Sequence, residues 1–213
     1  MSGHVDVFDL DATLLNTQAL LEPVVRRVAE IADKTVAEAN ESRWRVGEIT
    51  FTFSDWFKDV DIHPALWPEL EVELRTDLTN RAQSCLFPGI RELLEARQAA
   101  GSRLVLNTAG DPFYQRWKFG LLGLDHLFSP EDQHYVPRYG SKAEVLRHYL
   151  AFGRVRFIDD GVNWHMQVLE QQLPVECFRA RWSADPRSAI HSNDGEHWRV
   201  VYTPAKLRTL LQG

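Results

Sequence analysis

The chain has 213 residues, 44% of them hydrophobic, and its 30 acidic and 24 basic residues give a formal net charge of -6. This length suffices for one domain with a hydrophobic core, and the acidic balance makes a nucleic-acid backbone an unexpected partner. The two cysteines, Cys85 and Cys177, lie far apart without metal-ligand spacing, so neither a disulfide framework nor a zinc site is indicated.

The first predicted strand spans residues 4–8 and ends directly before Asp9 and Asp11. The following stretch, residues 16–82, shows no convincing buried strand and begins with a long amphipathic pattern, so we predict a helical insertion. Within it, residues 47–70 are rich in aromatic side chains, which we expect mainly to form the insertion's own core. The segment 49–53 (ITFTF) also alternates like a strand, so its secondary structure stays open.

The rest of the chain alternates between predicted helices and strands. A helix over residues 89–101 ends at Gly101, and strands follow at residues 103–107, 154–158, 175–182 and 197–202. A closing helix begins with Thr203 as N-cap and Pro204 at its first position. This alternation predicts an α/β fold with a doubly wound parallel sheet, in which residues 1–15 and 83–213 form the core and residues 16–82 a second domain.

Four short polar signals stand where predicted strands end or helices begin. They are Asp9 with Asp11, Thr108 with Asn107 as an alternative one residue earlier, Lys142, and Asp159 with Asp160. Because the carboxyl ends of parallel strands share one crevice, we expect these side chains to converge. Each signal is weak alone, and their common placement is what carries the prediction.

Lys142 follows Ser141 in an S-x-x-E pattern with Glu144, which predicts a capping box and places the lysine in the first turn of a helix. A cation at a helix N-terminus opposes the helix macrodipole, which favours a nearby anion. We therefore interpret Lys142 as a functional residue.

Electrostatics indicates what such a site contains. Two carboxylates about 4 Å apart repel by roughly 4 kcal/mol at an effective dielectric constant near 20. A group of carboxylates without His or Cys ligands suits a hard cation such as Mg²⁺. The Thr108 hydroxyl and the Lys142 ammonium group would bind the oxygens of a phosphate. Phosphoryl transfer to a carboxylate uses every one of these groups.

These signals in this order resemble the haloacid dehalogenase-like superfamily, in particular its phosphatases. The resemblance implies a three-layer Rossmann-like core with a helical C1-type cap, and a Mg²⁺-dependent hydrolase of a small phosphomonoester. It also implies that Asp9 is the nucleophile and that Asp11 is the acid and base, with its backbone carbonyl on the metal. Thr108 or Asn107, together with Lys142, would bind phosphate, and Asp159 and Asp160 would complete the metal site formed with Asp9 and Asp11. Ala12 departs from the family, where glycine is commoner.

Other polar residues have weaker interpretations. Arg43, Arg45 and Glu48 are candidates to reach over the crevice as specificity residues. His134, Arg138 and Tyr139 are expected in a solvated loop, Asp111 as the N-cap of a helix, and residues 183–198 as a surface loop.

Alternative functions remain open at this point. A phosphotransferase or phosphomutase of the same fold would use the same residues with a hydroxyl acceptor instead of water. A non-catalytic phosphoryl-accepting or metabolite-binding domain is a further hypothesis. The sequence shows no run of the roughly 20 apolar residues that a membrane helix needs, and no basic segment followed by an apolar one at its start. We therefore expect a cytoplasmic protein without a membrane partner and with a small phosphorylated metabolite as substrate.

Overall fold

The computed structural model describes residues 3–47, 51–137, 140–182 and 197–212. One parallel sheet lies at the centre of the fold, with the strand order β3-β2-β1-β4-β5-β6. Its strands are β1 (Gly3–Phe8), β2 (Arg103–Ala109), β3 (Gln133–Val136), β4 (Gly153–Asp159), β5 (Glu176–Ala180) and β6 (Arg199–Val201). The predicted Rossmann-like α/β fold is confirmed.

Nine α-helices lie within the described residues. They are α1 (Thr17–Ile31), α2 (Val36–Val46), α3 (Phe53–Asp59), α4 (Trp67–Arg81), α5 (Ile90–Ala99), α6 (Pro112–Gly120), α7 (Lys142–Tyr149), α8 (Val162–Glu170) and α9 (Pro204–Leu211). The longest, α1 and α4, have 15 residues. Across the described ranges, no helix combines the length and apolar character needed to cross a membrane.

Strand β1 occupies the middle of the sheet because both of its edges pair with neighbours. Phe8 pairs with Leu106 of β2 on one side and with Ile158 of β4 on the other. The buried runs of β1, β2 and β4 are mainly apolar, as expected for strands covered on both faces. Two charged exceptions, Asp6 in β1 and Arg156 in β4, form a buried ion pair at 3.7 Å. This register brings Asp9, one residue beyond Phe8, level with the carboxyl ends of both neighbouring strands.

Helices α1 to α4 follow β1 directly, and the described part of residues 16–82 contains no named strand. The amphipathic pattern of α1 is explained by packing, since Leu20, Val24 and Val28 are buried. Three of the six described aromatic residues in this region, Phe53, Trp56 and Phe57, are also buried. The division into core and cap at residues 15 and 82 stays a prediction.

The structure resolves part of the ambiguity at ITFTF. Phe53 begins α3 with Thr52 as its N-cap, and Thr52 Oγ1 accepts a hydrogen bond from the Asp55 amide at 3.0 Å. Phe51 precedes the helix outside any regular element, and residues 49–50 lie outside the described residues. A capping threonine therefore overrides the strand-like alternation in this part of the segment.

Two local predictions were wrong. Ser141 is the N-cap of α7 but makes no side-chain capping hydrogen bond, so the predicted capping box with Glu144 is absent. His134 lies in β3 rather than in a solvated loop, and its Nε2 is 2.7 Å from the Tyr149 hydroxyl. Here sheet pairing decides the backbone, because β2 offers β3 a parallel edge.

Candidate active site

Asp9 lies at the carboxyl end of β1, and its side chain is almost completely buried. Its backbone amide donates a hydrogen bond to the Ile158 carbonyl oxygen at 2.9 Å, which ties it to the neighbouring strand β4. Lys142 Nζ donates to Asp9 Oδ1 at 2.6 Å and to Asp159 Oδ2 at 2.7 Å. One ammonium group therefore bridges the ends of two adjacent strands.

The protonation of this bridge follows from burial and charge. Burial raises the pKa of Asp9 well above its usual range, Lys142 opposes this shift, and the nearby carboxylate of Asp159 adds to it. Burial likewise raises the pKa of Asp159, against the charge of Lys142. Burial alone would lower the pKa of Lys142, but the charges of Asp159 and Asp9 overcome it and raise that pKa. Lys142 is therefore charged. Its single positive charge faces two buried carboxylates, so a further cation at this place would be stabilised.

A third carboxylate joins this pair. One oxygen each of Asp9, Asp159 and Asp160 lies within 4.8 Å of the others. Asp159 is further oriented by the Gly161 amide, which donates to its Oδ1 at 2.7 Å, while Asp160 is half-buried at the rim of the cavity. Three carboxylate oxygens at this spacing are hard donors that fit a Mg²⁺ ion with retained waters.

Asp11 has a different environment from Asp9. Lys118 Nζ donates to both of its carboxylate oxygens, at 2.6 and 2.7 Å, and Gln115 Nε2 donates to Oδ2 at 2.9 Å. The Thr17 hydroxyl, at the start of α1, also donates to it. Burial would raise the pKa of Asp11, but the charge and hydrogen bonds of Lys118 hold it well below its usual range.

Asp9 and Asp11 therefore differ in their charged partners: Asp9 shares Lys142 with Asp159, whereas Asp11 pairs with Lys118. The Asp11 carboxylate lies outside the group formed by Asp9, Asp159 and Asp160. The role of its backbone carbonyl in metal binding stays a prediction.

Asn107 and Thr108, the predicted phosphate ligands, are both completely buried in β2 and neither lines the cavity. Asn107 Nδ2 donates to the backbone oxygen of Lys142 at 3.1 Å and so connects β2 to the start of α7. The Thr108 hydroxyl has no hydrogen-bond partner among the described residues. A buried hydroxyl without a partner is costly, which is consistent with a polar ligand approaching it.

A cavity of about 260 Å³ opens over these residues. The strand ends and helices α6 to α8 contribute to its wall Asp9, Asp11, Asp160, Tyr114, Lys118, Lys142 and Trp164. The segment from α1 to the start of α3 contributes Thr17, Leu21, Arg43, Trp44, Gly47 and Phe51. Residues of α1, of α2 and of the segment before α3 therefore form one side of this cavity.

Two of the candidate specificity residues can now be distinguished. Arg43 lines the cavity, whereas Arg45 pairs with Asp59 at 2.6 Å and does not line it. Glu48, Arg138 and Tyr139 lie outside the described residues, as do residues 183–196 of the predicted surface loop. Asp111 is the N-cap of α6, as predicted, and accepts a hydrogen bond from the Tyr114 amide at 2.7 Å.

The sequence analysis missed Lys118 and Gln115. Both lie on α6, six and three residues after Pro112, and both are buried. Gln115 Nε2 also donates to the Ala109 carbonyl oxygen at the end of β2, at 3.1 Å. Their spacing of three residues places them on one face of a helix, and this was the available signal. That signal does not specify Asp11 as their partner.

Comparisons with known proteins agree with this geometry. The family model described as haloacid dehalogenase-like hydrolase matches residues 7–171. No curated protein sequence in the comparison matches significantly.

Many solved structures share the fold, and three illustrate the range. YfnB from Bacillus subtilis, bound to magnesium, is 17% identical with a TM-score of 0.63, covering 100% of both chains. A HAD family hydrolase from Deinococcus radiodurans R1, with bound phosphate and sodium, is 16% identical with a TM-score of 0.60, covering 99% of this chain and 95% of that one. A phosphoserine phosphohydrolase-like protein from Francisella tularensis is 15% identical with a TM-score of 0.60, covering 98% and 99%. At these identities the likeness concerns the fold.

Proposed function

Because the chain belongs to the haloacid dehalogenase-like hydrolase family, we propose that it hydrolyses a small phosphomonoester through a phosphorylated Asp9. The observation that carries this proposal is the Lys142 ammonium group held between the carboxylates of Asp9 and Asp159. That arrangement places three features at one edge of the sheet: a carboxylate oxygen of Asp9 as nucleophile, the Lys142 ammonium group, and the carboxylate oxygens that could hold a metal ion. The magnesium and phosphate named for two proteins of the same fold are compatible with it.

Asp9, Asp159 and Asp160 would hold Mg²⁺. When bound, the ion supplies positive charge that offsets the repulsion between the phosphoryl group and the carboxylates. Lys142 supplies a fixed positive charge beside Asp9 and keeps the Asp9 side chain in place.

In the first step an oxygen of Asp9 forms a bond to phosphorus, and the bond from phosphorus to the ester oxygen breaks. The leaving oxygen takes a proton from Asp11. A phosphoryl dianion beside Asp11 raises its pKa and so opposes the effect of Lys118. In the second step water attacks phosphorus, Asp11 accepts the water proton, and Asp9 is released as a carboxylate. The carboxylate form favoured by Lys118 suits this second role.

Replacement of the nucleophile tests the proposal. We expect Asp9→Asn to lower kcat for p-nitrophenyl phosphate in the presence of Mg²⁺ by a factor on the order of 10³ or more, because the amide cannot form the phosphorylated intermediate. Acid quenching followed by mass spectrometry should find a phosphoryl group on the peptide containing Asp9 in the wild type alone.

Asp33→Asn, an isosteric change at an exposed turn, is the control and should keep wild-type activity. Wild-type turnover by Asp9→Asn would refute the proposal. Transfer of the phosphoryl group to added alcohols in preference to water would instead support the phosphotransferase hypothesis. The cytoplasmic location and the metabolite substrate stay predictions.

A further inference from the structure

Gln115, on α6, lines the candidate active-site cavity, and its side chain is only 6% exposed. Its amide nitrogen, Nε2, donates to Asp11 Oδ2 at 2.9 Å and to the Ala109 carbonyl oxygen at 3.1 Å. Its amide oxygen, Oε1, is buried and has no hydrogen-bond partner among the described residues. A buried acceptor without a donor is costly, so a donor that reaches Oε1 from the cavity would be stabilised.

The hydrogen bonds of Gln115 fix the direction in which its amide faces. Both hydrogens of Nε2 have acceptors, and exchanging the nitrogen with the oxygen would set Oε1 against two other oxygens. Gly110 makes room for the amide, because a Cβ atom built on Gly110 would lie 2.7 Å from Gln115 Nε2 and 3.3 Å from its Cγ. Since Oε1 is bonded to the same carbon as Nε2, it lies near the Asp11 carboxylate.

The second step of the proposed mechanism brings a suitable donor to this place. The leaving ester oxygen and the attacking water both lie in line with phosphorus and opposite Asp9, so each in turn takes the same position beside Asp11. Asp11 accepts one proton of the water. The second O–H of the water also needs an acceptor, and Gln115 Oε1 is an acceptor near Asp11 that no described residue engages.

An alcohol fits the same position less well than water. Its single hydroxyl proton would go to Asp11, and its alkyl group would replace the second proton of water. Gln115 Oε1 would then face an apolar group and stay without a donor, which is the arrangement by which buried polar groups reject a competing molecule. The amide therefore distinguishes between water and alcohols as acceptors of the phosphoryl group.

We propose that Gln115 directs the phosphoryl group on Asp9 to water by accepting a hydrogen bond from the second O–H of the attacking water. The water oxygen forms a bond to phosphorus, the bond from phosphorus to the Asp9 oxygen breaks, and Asp9 leaves as a carboxylate. One water proton moves to Asp11, and the other stays on the new phosphate oxygen. This inference deepens the proposed function and rests on it for the phosphorylated Asp9.

Competition between water and methanol tests the role of Gln115. With p-nitrophenyl phosphate, Mg²⁺ and a fixed concentration of methanol, phosphorylated Asp9 yields either inorganic phosphate or methyl phosphate. Both products come from one intermediate, so their ratio does not depend on the first step. Gln115→Met, which has a similar length but no acceptor, should raise the ratio of methyl phosphate to inorganic phosphate about threefold to tenfold, since only water loses a hydrogen bond. Gln115→Leu, a second variant without an acceptor, should raise it similarly.

Thr17→Val is the matched control. The Thr17 hydroxyl also donates to Asp11, so its removal disturbs the surroundings of Asp11 while leaving the Gln115 amide in place. Thr17→Val should lower turnover without changing the ratio of the two products. An equal increase of this ratio in Thr17→Val and Gln115→Met would overturn the inference, because the surroundings of Asp11 alone would then govern the choice of acceptor.

Failure of the inference and failure of the proposed function give different results. Acid quenching shows whether the peptide containing Asp9 carries a phosphoryl group. If Gln115→Met forms phosphorylated Asp9 and keeps the wild-type product ratio, the inference fails and the proposed function stands. If the wild type forms no phosphorylated Asp9, both fail. A wild type that prefers methanol to water, mole for mole, would also overturn the inference.

Discussion

Asp9 and Asp11 are two residues apart, yet their neighbours push their pKa values in opposite directions. Asp9 shares Lys142 with a second buried carboxylate, and burial raises its pKa. Asp11 has Lys118 to itself on both oxygens, and its pKa is lowered. Carboxylates with divergent environments are suited to different chemical roles. The first step of the proposed mechanism needs Asp9 ionised and Asp11 protonated, so it requires a bound cation that lowers the pKa of Asp9 and a phosphoryl group that raises the pKa of Asp11.

Ala12 is a second point where residue-level detail matters. Its φ of 59° lies in the left-handed region, which costs a non-glycine residue about 1–2 kcal/mol. Its amide donates to the Leu15 carbonyl at 2.8 Å, and its methyl group is buried. Glycine is commoner at this position in the family, and the left-handed backbone conformation explains why. In this chain Ala12 adopts the same conformation at an energetic cost.

His165 should make the free energy of unfolding depend on pH. Its ring is buried and stacked on Trp198, its Nε2 lies 3.0 Å from the Asp159 backbone oxygen, and burial lowers its pKa from 6.5 to about 4. The unfolded chain binds a proton at higher pH than the folded one. His165 should therefore reduce the free energy of unfolding as the pH falls from about 6.5 to about 4, by about 3 kcal/mol in all.

Urea unfolding of metal-free protein across this pH range measures the effect. His165→Gln retains an amide donor for the Asp159 oxygen but cannot titrate, so its stability should depend less steeply on pH. Exposed His148→Gln controls for the loss of a histidine. Parallel pH profiles for the wild type and His165→Gln would contradict the assignment.

At the scale of elements, α7 shows how a locally unfavourable residue becomes useful. Lys142 is the first residue of α7, where its charge opposes the helix macrodipole. The carboxylates of Asp9 and Asp159 lie at this helix end and pair with it. The helix thus delivers a buried cation to the sheet edge at a cost that the ion pairs offset.

The turn between α5 and β2 contains a glycine in the left-handed conformation. Gly101 has φ of 79°, and a Cβ atom built there meets nothing within 4 Å. Gly120, at the end of α6, has the same open surroundings without a positive φ. We expect Gly101→Ala to lower the free energy of unfolding by about 1 kcal/mol and Gly120→Ala to leave it unchanged or raise it by up to about 1 kcal/mol.

Chemical denaturation of the two variants tests this contrast. Since neither substitution creates a clash, the difference between them isolates backbone conformation. Equal effects of the two substitutions would show that the left-handed turn does not limit stability.

At the scale of the whole molecule, the sheet assembles the site from distant parts of the chain. Asp9, Asp159 and Asp160 come from the ends of two adjacent strands, and Lys142 comes from the helix between β3 and β4. An ion that binds these carboxylates in the folded state alone stabilises the whole fold by mass action.

Mg²⁺ should therefore raise Tm. At about 100 times Kd the stabilisation is about 2.7 kcal/mol, which for this chain length corresponds to roughly 5–10 °C. Asp160→Asn should lose most of this increase, and EDTA should abolish it. Asp111→Asn is the matched control, because Asp111 lines the same cavity outside the carboxylate group and asparagine caps a helix equally well. An equal Tm increase in both variants would argue against the metal site.

Much of this architecture was predictable from short segments. Strands β1, β2 and β4, the end of α5 near Gly101 and the capped start of α9 follow from apolar runs, glycine and an N-cap threonine, all of which act within a few residues. The four polar signals could be placed at one edge because parallel strands align their carboxyl ends. The capping box at Ser141 failed because a sequence pattern does not guarantee the hydrogen bond.

The sequence by itself determined which residue types stand at the ends of strands and helices, since those positions follow from local backbone preferences. The tertiary structure alone decided their partners. Lys118 meets Asp11 across 107 positions of the chain, and Arg43 faces the cavity while Arg45, on the same helix, pairs with Asp59. Such choices depend on how helices pack over the sheet, and that packing sums many weak long-range contacts that no short segment contains. Asp9 and Asp11 therefore acquire distinct electrostatic environments only in the folded chain.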